Sequence, residues 1–398
     1  MKVQMKTFSF PSSLTVVLVS VLLAYIYTSN PYFNLETVKS INIPASLSHL
    51  TASINTYLIN LLSASPPTTN LTISPPTTTI TPSQLAAMSG RVQLPRRILK
   101  TLLAKPQSEG AGATVRRSIG TPSLRSLNPF LMLDHFSVSP GAGFPDHPHR
   151  GQETITYLLT GGMDHEDFTG NRGTLNPGDL QFMTAGKGIM HAEMPRQNPD
   201  GSANVGLQLW VDLPKELKYC EPRYRDLKAE EIPTVVTEDD KVKIKVISGK
   251  SYGVESLKNL AYTPVVFYDV EVQPGGKVEQ EVPKGWQGFA YVLEGGDVTF
   301  GDGKDGKEKK VSQWHNVVFG NEQEGDGVVA RVDESETKPG RFVLIAGQMM
   351  DQPVVQYGPF VLNSQEEVYQ AFVDYQSHTN GFERAKGWKS EIGKSMVH

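Results

Sequence analysis

Two short pairs of metal-capable side chains carry the chemistry of this sequence. His147 and His149 are two residues apart, and so are His191 and Glu193. In an extended strand, residues i and i+2 point to the same side. Each pair is therefore a two-pronged fork. Two such strands side by side in a small antiparallel barrel aim three imidazoles and one carboxylate at one point. That donor set suits Fe(II), Mn(II), Ni(II), Cu(II) or Zn(II), and intrinsic affinity does not choose among them. A metal preferring six ligands keeps two positions open for water, substrate or oxygen, whereas tetrahedral zinc is nearly saturated by four. One carboxylate on a divalent ion leaves a net charge of about +1, which favours an anionic oxygen ligand.

The elements that must hold the forks are visible around them. Gly143, Pro145 and Pro148 suit irregular or edge-strand backbone at the first fork. Glu153 to Leu159 is rich in β-branched and aromatic residues and stops at Gly161-Gly162, which predicts a strand. Asn176-Pro177-Gly178-Asp179 predicts a turn. Gly186 and Gly188 allow a tight bend before His191, and Leu180, Phe182 and Ile189 offer an apolar wall behind the second fork. Glu153 is a fifth candidate outside the ligand set. It suits a carboxylate that orients an imidazole by accepting its second N–H, or a base for a substrate hydroxyl. The plainer alternative is a strand glutamate paired with a cation such as Arg150.

The strings HPHRG, ETITYLLTGG, HEDF, NPGDLQFMTAGKGIMHAEMP and QYGPFV resemble the pirin family of the cupin superfamily. The resemblance runs from about Leu94 to Gly381. Carried over residue by residue, the family's ligands, three histidines and a glutamate, fall on His147, His149, His191 and Glu193. The resemblance implies an all-β chain of two tandem cupin barrels with a C-terminal helix. It also implies Fe(II) as the metal and opening of a quercetin-like flavonol ring with O2. A second implied role, of another class, is a non-catalytic, iron-dependent redox sensor that binds transcription factors. Lys241 to Lys245 would then lie on the docking surface.

An internal repeat supports two barrels. Tyr291 to Gly296 (YVLEGG) echoes Tyr157 to Gly162 (YLLTGG). Counting equally from the two tyrosines, His147 falls on Glu281, His149 on Pro283 and Glu153 on Gln287. The second copy thus keeps the hairpin and loses the first fork, and His315 stands alone there. Metal is expected in the first barrel only.

The expected organisation has five parts. Residues 1–30 form a hydrophobic anchor or targeting segment, and 31–93 a disordered Ser/Thr/Pro-rich linker. Residues 94–240 form the metal-binding barrel, 241–363 the degenerate barrel, and 364–398 a helix and tail. The apolar run within 12–28 fits a short single-pass anchor, with a cleaved signal as the alternative. Met88 offers a second start that would leave a cytoplasmic or nuclear protein without it. Asn70-Leu71-Thr72 is a glycosylation pattern. Ser364 with Glu367 predicts a capping box, followed by an amphipathic helix through Val368, Ala371, Phe372 and Tyr375, with Trp388 pinning the tail.

The remaining features exclude other functions. The 398-residue chain has a formal net charge of −4, with no basic stripe for nucleic acid. Its one cysteine, Cys220, excludes an intrachain disulfide framework and reads as a small, partly buried hydrophobe. Arg116 and Arg117 read as solvated charges or an anion site, His135 as a structural histidine, and Asp164 to Asp167 as a loop at the pocket mouth. Two joined barrels already cover the face that single barrels cover by pairing, so a monomer is expected.

Overall fold

The computed structural model describes residues 75–396 except 82, 85–91, 140, 238, 258–259, 304–307 and 322–324. These residues form a mostly β chain with two sheet pairs and one long helix. In the first barrel, a seven-stranded sheet is centred on Gln152–Thr160, Asn204–Asp212 and Phe130–Val138. It faces a four-stranded sheet of Phe144–His149, Ile189–Pro195, Met163–Asp167 and Arg172–Leu175. The second barrel repeats the plan, with Trp286–Gly295, Gly340–Gln348 and Val265–Val272 in its large sheet and Lys277–Glu281 beside Gly327–Arg331 in the small one.

Alternation explains how the barrels join. Along Gln152–Thr160, Ile155 and Tyr157 face outward into an apolar cluster shared with Phe267, Phe289, Tyr291 and Ile345 of the second barrel. The intervening residues turn into the first barrel. Both faces of each large sheet are therefore buried, as the near-continuous burial of these strands requires. At the seam, Tyr157 donates to Asp269 Oδ2 at 2.6 Å, and Arg341 grips the same carboxylate through two nitrogens. His135 Nδ1 lies 3.3 Å from the Tyr291 hydroxyl, which supports its structural reading.

The two ends of the described chain are exchanged between barrels. Thr77–Ile80 pairs in parallel with Thr234–Thr237, and Ile98–Leu103 pairs with His315–Phe319, all in the second barrel's sheet. The stretch read as a disordered linker therefore holds a strand at Thr77–Ile80, while residues 1–74 lie outside the described residues. Ile98–Leu103 and Thr234–Thr237, assigned by sequence to the first barrel, belong to the second. The physical reason is that an open sheet edge exposes unpaired backbone groups and is covered by whatever strand reaches it.

The C-terminal arm does the converse. Helix Gln365–Ser377 starts at Ser364, whose hydroxyl accepts from Glu367 N, while Glu367 accepts from Asn363 N. Its Val368 and Ala371 join Phe360, Leu362 and Phe382 against Met183, Ala185 and Ile189 of the first barrel, with Trp388 packed alongside. The expected anchor at 12–28 lies outside the described residues, and among those described no helix is long and apolar enough to cross a membrane.

Candidate metal centre

The two forks lie on neighbouring strands, and their three imidazoles converge. Phe144–His149 and Ile189–Pro195 are antiparallel neighbours, with His191 opposite His147 and Ile189 opposite His149. The donor nitrogens of His147, His149 and His191 all lie within 4.8 Å of one another, the one such group found among the described residues. His147 Nε2 and His191 Nε2 are 3.0 Å apart. An ion about 2.1 Å from each of two adjacent nitrogens would hold them about 3 Å apart. His149 and His191 are fully enclosed, and His147 is half-buried.

The protonation pattern fits a metal. His147 Nδ1 lies 2.8 Å from the Pro145 carbonyl, which can only accept, so Nδ1 carries a proton and Nε2 is the nitrogen that faces the ion. His149 Nε2 is buried and has no hydrogen-bond partner. Its Nδ1 meets the Gln152 amide at 2.9 Å. The amide's two ends exchange by a half-turn. With Oε1 on Nδ1–H, the Gln152 oxygen, otherwise without a partner, is satisfied and His149 Nε2 is free to ligate. Burial, reinforced by the neighbouring His147 ring, holds both His149 and His191 well below the ordinary imidazole range. Both are therefore neutral, the form that ligates.

Glu193 sits outside the 4.8 Å group. Thr156 Oγ1 donates to its Oε1 at 3.2 Å, and Gln208 Nε2 donates to its Oε2 at 3.1 Å. Its carboxylate nonetheless lines the same cleft as His147 and His149. That cleft has a volume of about 1190 Å³, with Leu131, Met132, Phe136, Phe144 and Trp210 on its apolar side. The Trp210 ring stands edge-on to His149 at 5.1 Å.

Glu153 takes none of the roles foreseen for it at the metal. It accepts from Thr184 Oγ1 at 2.6 Å and from the backbone N–H groups of Tyr262 and Thr263 at 3.0 Å. It is a clasp between the barrels, and burial raises its pKa despite those bonds and nearby Arg223. Strand parity explains the difference, because Glu153 shares a face with Ile155 and Tyr157, which look toward the second barrel. Arg150, the cation proposed for it, pairs with Asp374 instead. The residues that do surround the ligands, Gln152, Thr156, Gln208 and Trp210, were given no site role by sequence, although GLQLWVDL reads as a strand carrying Trp210. The alternation of Gln208 and Trp210 in GLQLWVDL was the available signal.

Other candidates resolve plainly. Asp164 to Asp167 is not a mouth loop but part of strand Met163–Asp167, with His165 opposite Glu193. Its acids are engaged by Thr174, by the N–H groups of Glu391 and Ile392, and by Thr169 and Asn171. Arg117 is held by Asp134 and Glu109, and Arg116 lies 3.8 Å over the Trp314 ring, so neither is a free anion site. Lys245 turns into the seam, 3.4 Å from the Tyr157 hydroxyl, rather than onto a docking face. Burial raises the Cys220 thiol, which makes it a poor nucleophile.

Fold and site together define a two-barrel cupin with one three-imidazole centre. The comparisons agree. The family model described as Pirin matches residues 112–211, and the Pirin C-terminal cupin domain matches 267–381. The chain is 49% identical to human pirin over 299 residues, covering 75% of this chain and 98% of the relative. It is 46% identical to a pirin-like protein of Solanum lycopersicum over 305 residues, 77% of this chain and all of that one. A crystal structure named quercetin 2,3-dioxygenase from Acinetobacter baumannii matches with a TM-score of 0.64 and 27% identity, over 72% of this chain and 98% of that one. The chain belongs to the pirin family.

Proposed function

We propose that the first barrel is a metal-dependent dioxygenase site, with Fe(II) as the resident ion and a flavonol-type enolic ring and O2 as substrates. The observation that carries this reading is three convergent imidazoles, of which His147 and His149 line a cleft with an apolar wall. Its volume of about 1190 Å³ exceeds the range typical for drug-sized ligands. The similarity to a structure named quercetin 2,3-dioxygenase supports the substrate class.

His147, His149 and His191 would hold the ion, with Glu193 as fourth donor once its carboxylate leaves Gln208. When bound, the ion supplies a Lewis-acidic, redox-active centre that activates substrate and O2. The chain's own residues do the rest. Gln152 fixes the tautomer and angle of His149. Thr156, which donates to Glu193 Oε1, would keep that carboxylate directed at the ion after Gln208 lets go. Phe136, Phe144 and Trp210 pack against the aromatic rings and keep water from the reacting face.

The test is quercetin turnover with O2 on anaerobically prepared, iron-loaded protein, beside its His191→Ala variant. Turnover by the parent and none by the variant supports the reading. Stoichiometric iron without turnover of any flavonol rejects it and favours the redox-sensor role.

A further inference from the structure

We propose that Arg150 is a positioning residue of the metal centre, and that through it the C-terminal arm completes the ligand geometry. This rests on the reading of the three histidines as a metal site. Two turns carry the forks: 149–152 follows His147 and His149, and 185–188 precedes His191 and Glu193. Arg150, 1% exposed, joins both turns to the arm. Its Nε donates to the Lys187 carbonyl at 2.6 Å. One terminal nitrogen donates to Asp374 Oδ2 at 2.7 Å and the other to the Asn380 carbonyl at 2.6 Å.

The backbone of the same turn is also tied to the arm. Arg150 N donates to the Pro359 carbonyl, and Val361 N donates to the Arg150 carbonyl. Buried Lys218, ion-paired with Asp212, donates to the carbonyls of Gly151 and Val361. The fit leaves no slack. A Cβ on Gly151 would lie 2.0 Å from the Val361 carbonyl, and one on Gly188 would lie 2.9 Å from the Phe382 ring. His149 and its partner Gln152 flank this clamped turn, so any shift of the arm changes the angle at which His149 meets its ion.

The second barrel supplies the control. There Arg96, from the opposite arm, donates to the carbonyls of Val282, Pro283, Trp286 and Gly320. Counting equally from Tyr157 and Tyr291, the carbonyls of Pro283, Trp286 and Gly320 fall within the first barrel's two turns, and that of Val282 falls one residue before them. A guanidinium at this junction thus also serves a barrel with no ligands, and only a metal readout separates positioning from folding.

The experiment uses the full chain, stripped of metal and titrated with Co(II) against a chelator, with the Co(II) visible spectrum recorded. Arg150→Lys and Asp374→Asn should each weaken Co(II) binding by about 10–100-fold and alter the spectrum. Arg96→Lys should lower thermal stability with Co(II) binding and spectrum unchanged. Asp374→Asn keeps the inference testable if Arg150→Lys does not fold. Parental Co(II) affinity and spectrum in a folded Arg150→Lys or Asp374→Asn variant would overturn it. A parent chain that binds no Co(II) would instead overturn the metal reading beneath it.

Discussion

In the first barrel the strand Gln152–Thr160 turns Thr154 and Thr156 inward. At the matching places in the second, Trp286–Gly295 presents Gly288 and Ala290. The rows beside them diverge in the same way. Thr156 is level with Gln208 and Asp134, whereas Ala290 is level with Leu344 and Tyr268. The strand paired with the first fork brings His191 and Glu193, but its counterpart reads GVVAR. One interior is polar and opens to a cleft. The other is a closed cluster around Phe300, Phe319 and Phe342. The backbone plan therefore does not make the site. A barrel relieved of ligands reverts to close apolar packing, while its partner keeps buried polar groups that must be satisfied one by one.

The largest effect expected from this contrast is loss of metal on His191→Ala, read as a fall from about one ion per chain to near none by elemental analysis. Within the second barrel, Phe300→Ala should cost about 3–5 kcal/mol of stability in denaturant unfolding while leaving metal content at the parental level. If metal content falls in step with stability, the barrels are not separable. Gln152→Ala should weaken metal binding by about 10–100-fold in a chelator competition. The paired replacement Glu281→His with Pro283→His should add no second ion, because neither the facing strand nor the interior offers further donors.

The smallest effect concerns the seam. Burial, aided by Arg116 and opposed by Glu294, holds His135 at a pKa of about 4, below an unfolded value of about 6.5. Between those values the unfolded chain binds the additional proton. Stability thus falls as pH drops through this window and levels off below it. His135→Asn should flatten that slope by about one proton, measured from unfolding midpoints at pH 4 to 7.

Much of this was legible in the residues. Two forks at i, i+2 and a repeated hairpin sufficed for the barrels and the three histidines, because period-two alternation fixes which side chains converge. Glu153 was misread although its parity with Ile155 and Tyr157 was in plain sight. Gln152 escaped because the Gly151 turn, at φ +80°, lies between it and His149 and breaks the alternation. The exchanged arms were half legible. The capping box and apolar stripe marked the C-terminal helix. Nothing local in Thr77–Ile80 or Ile98–Leu103 says which sheet edge will accept them, since that is decided by pairing across more than a hundred residues.

The most direct test of the central claim is metal content and quercetin turnover measured on one anaerobic preparation of the chain and of His191→Ala. About one iron per chain with turnover, both lost in the variant, is the predicted result. Two ions per chain, or metal and turnover retained without His191, would contradict a single catalytic centre in the first barrel.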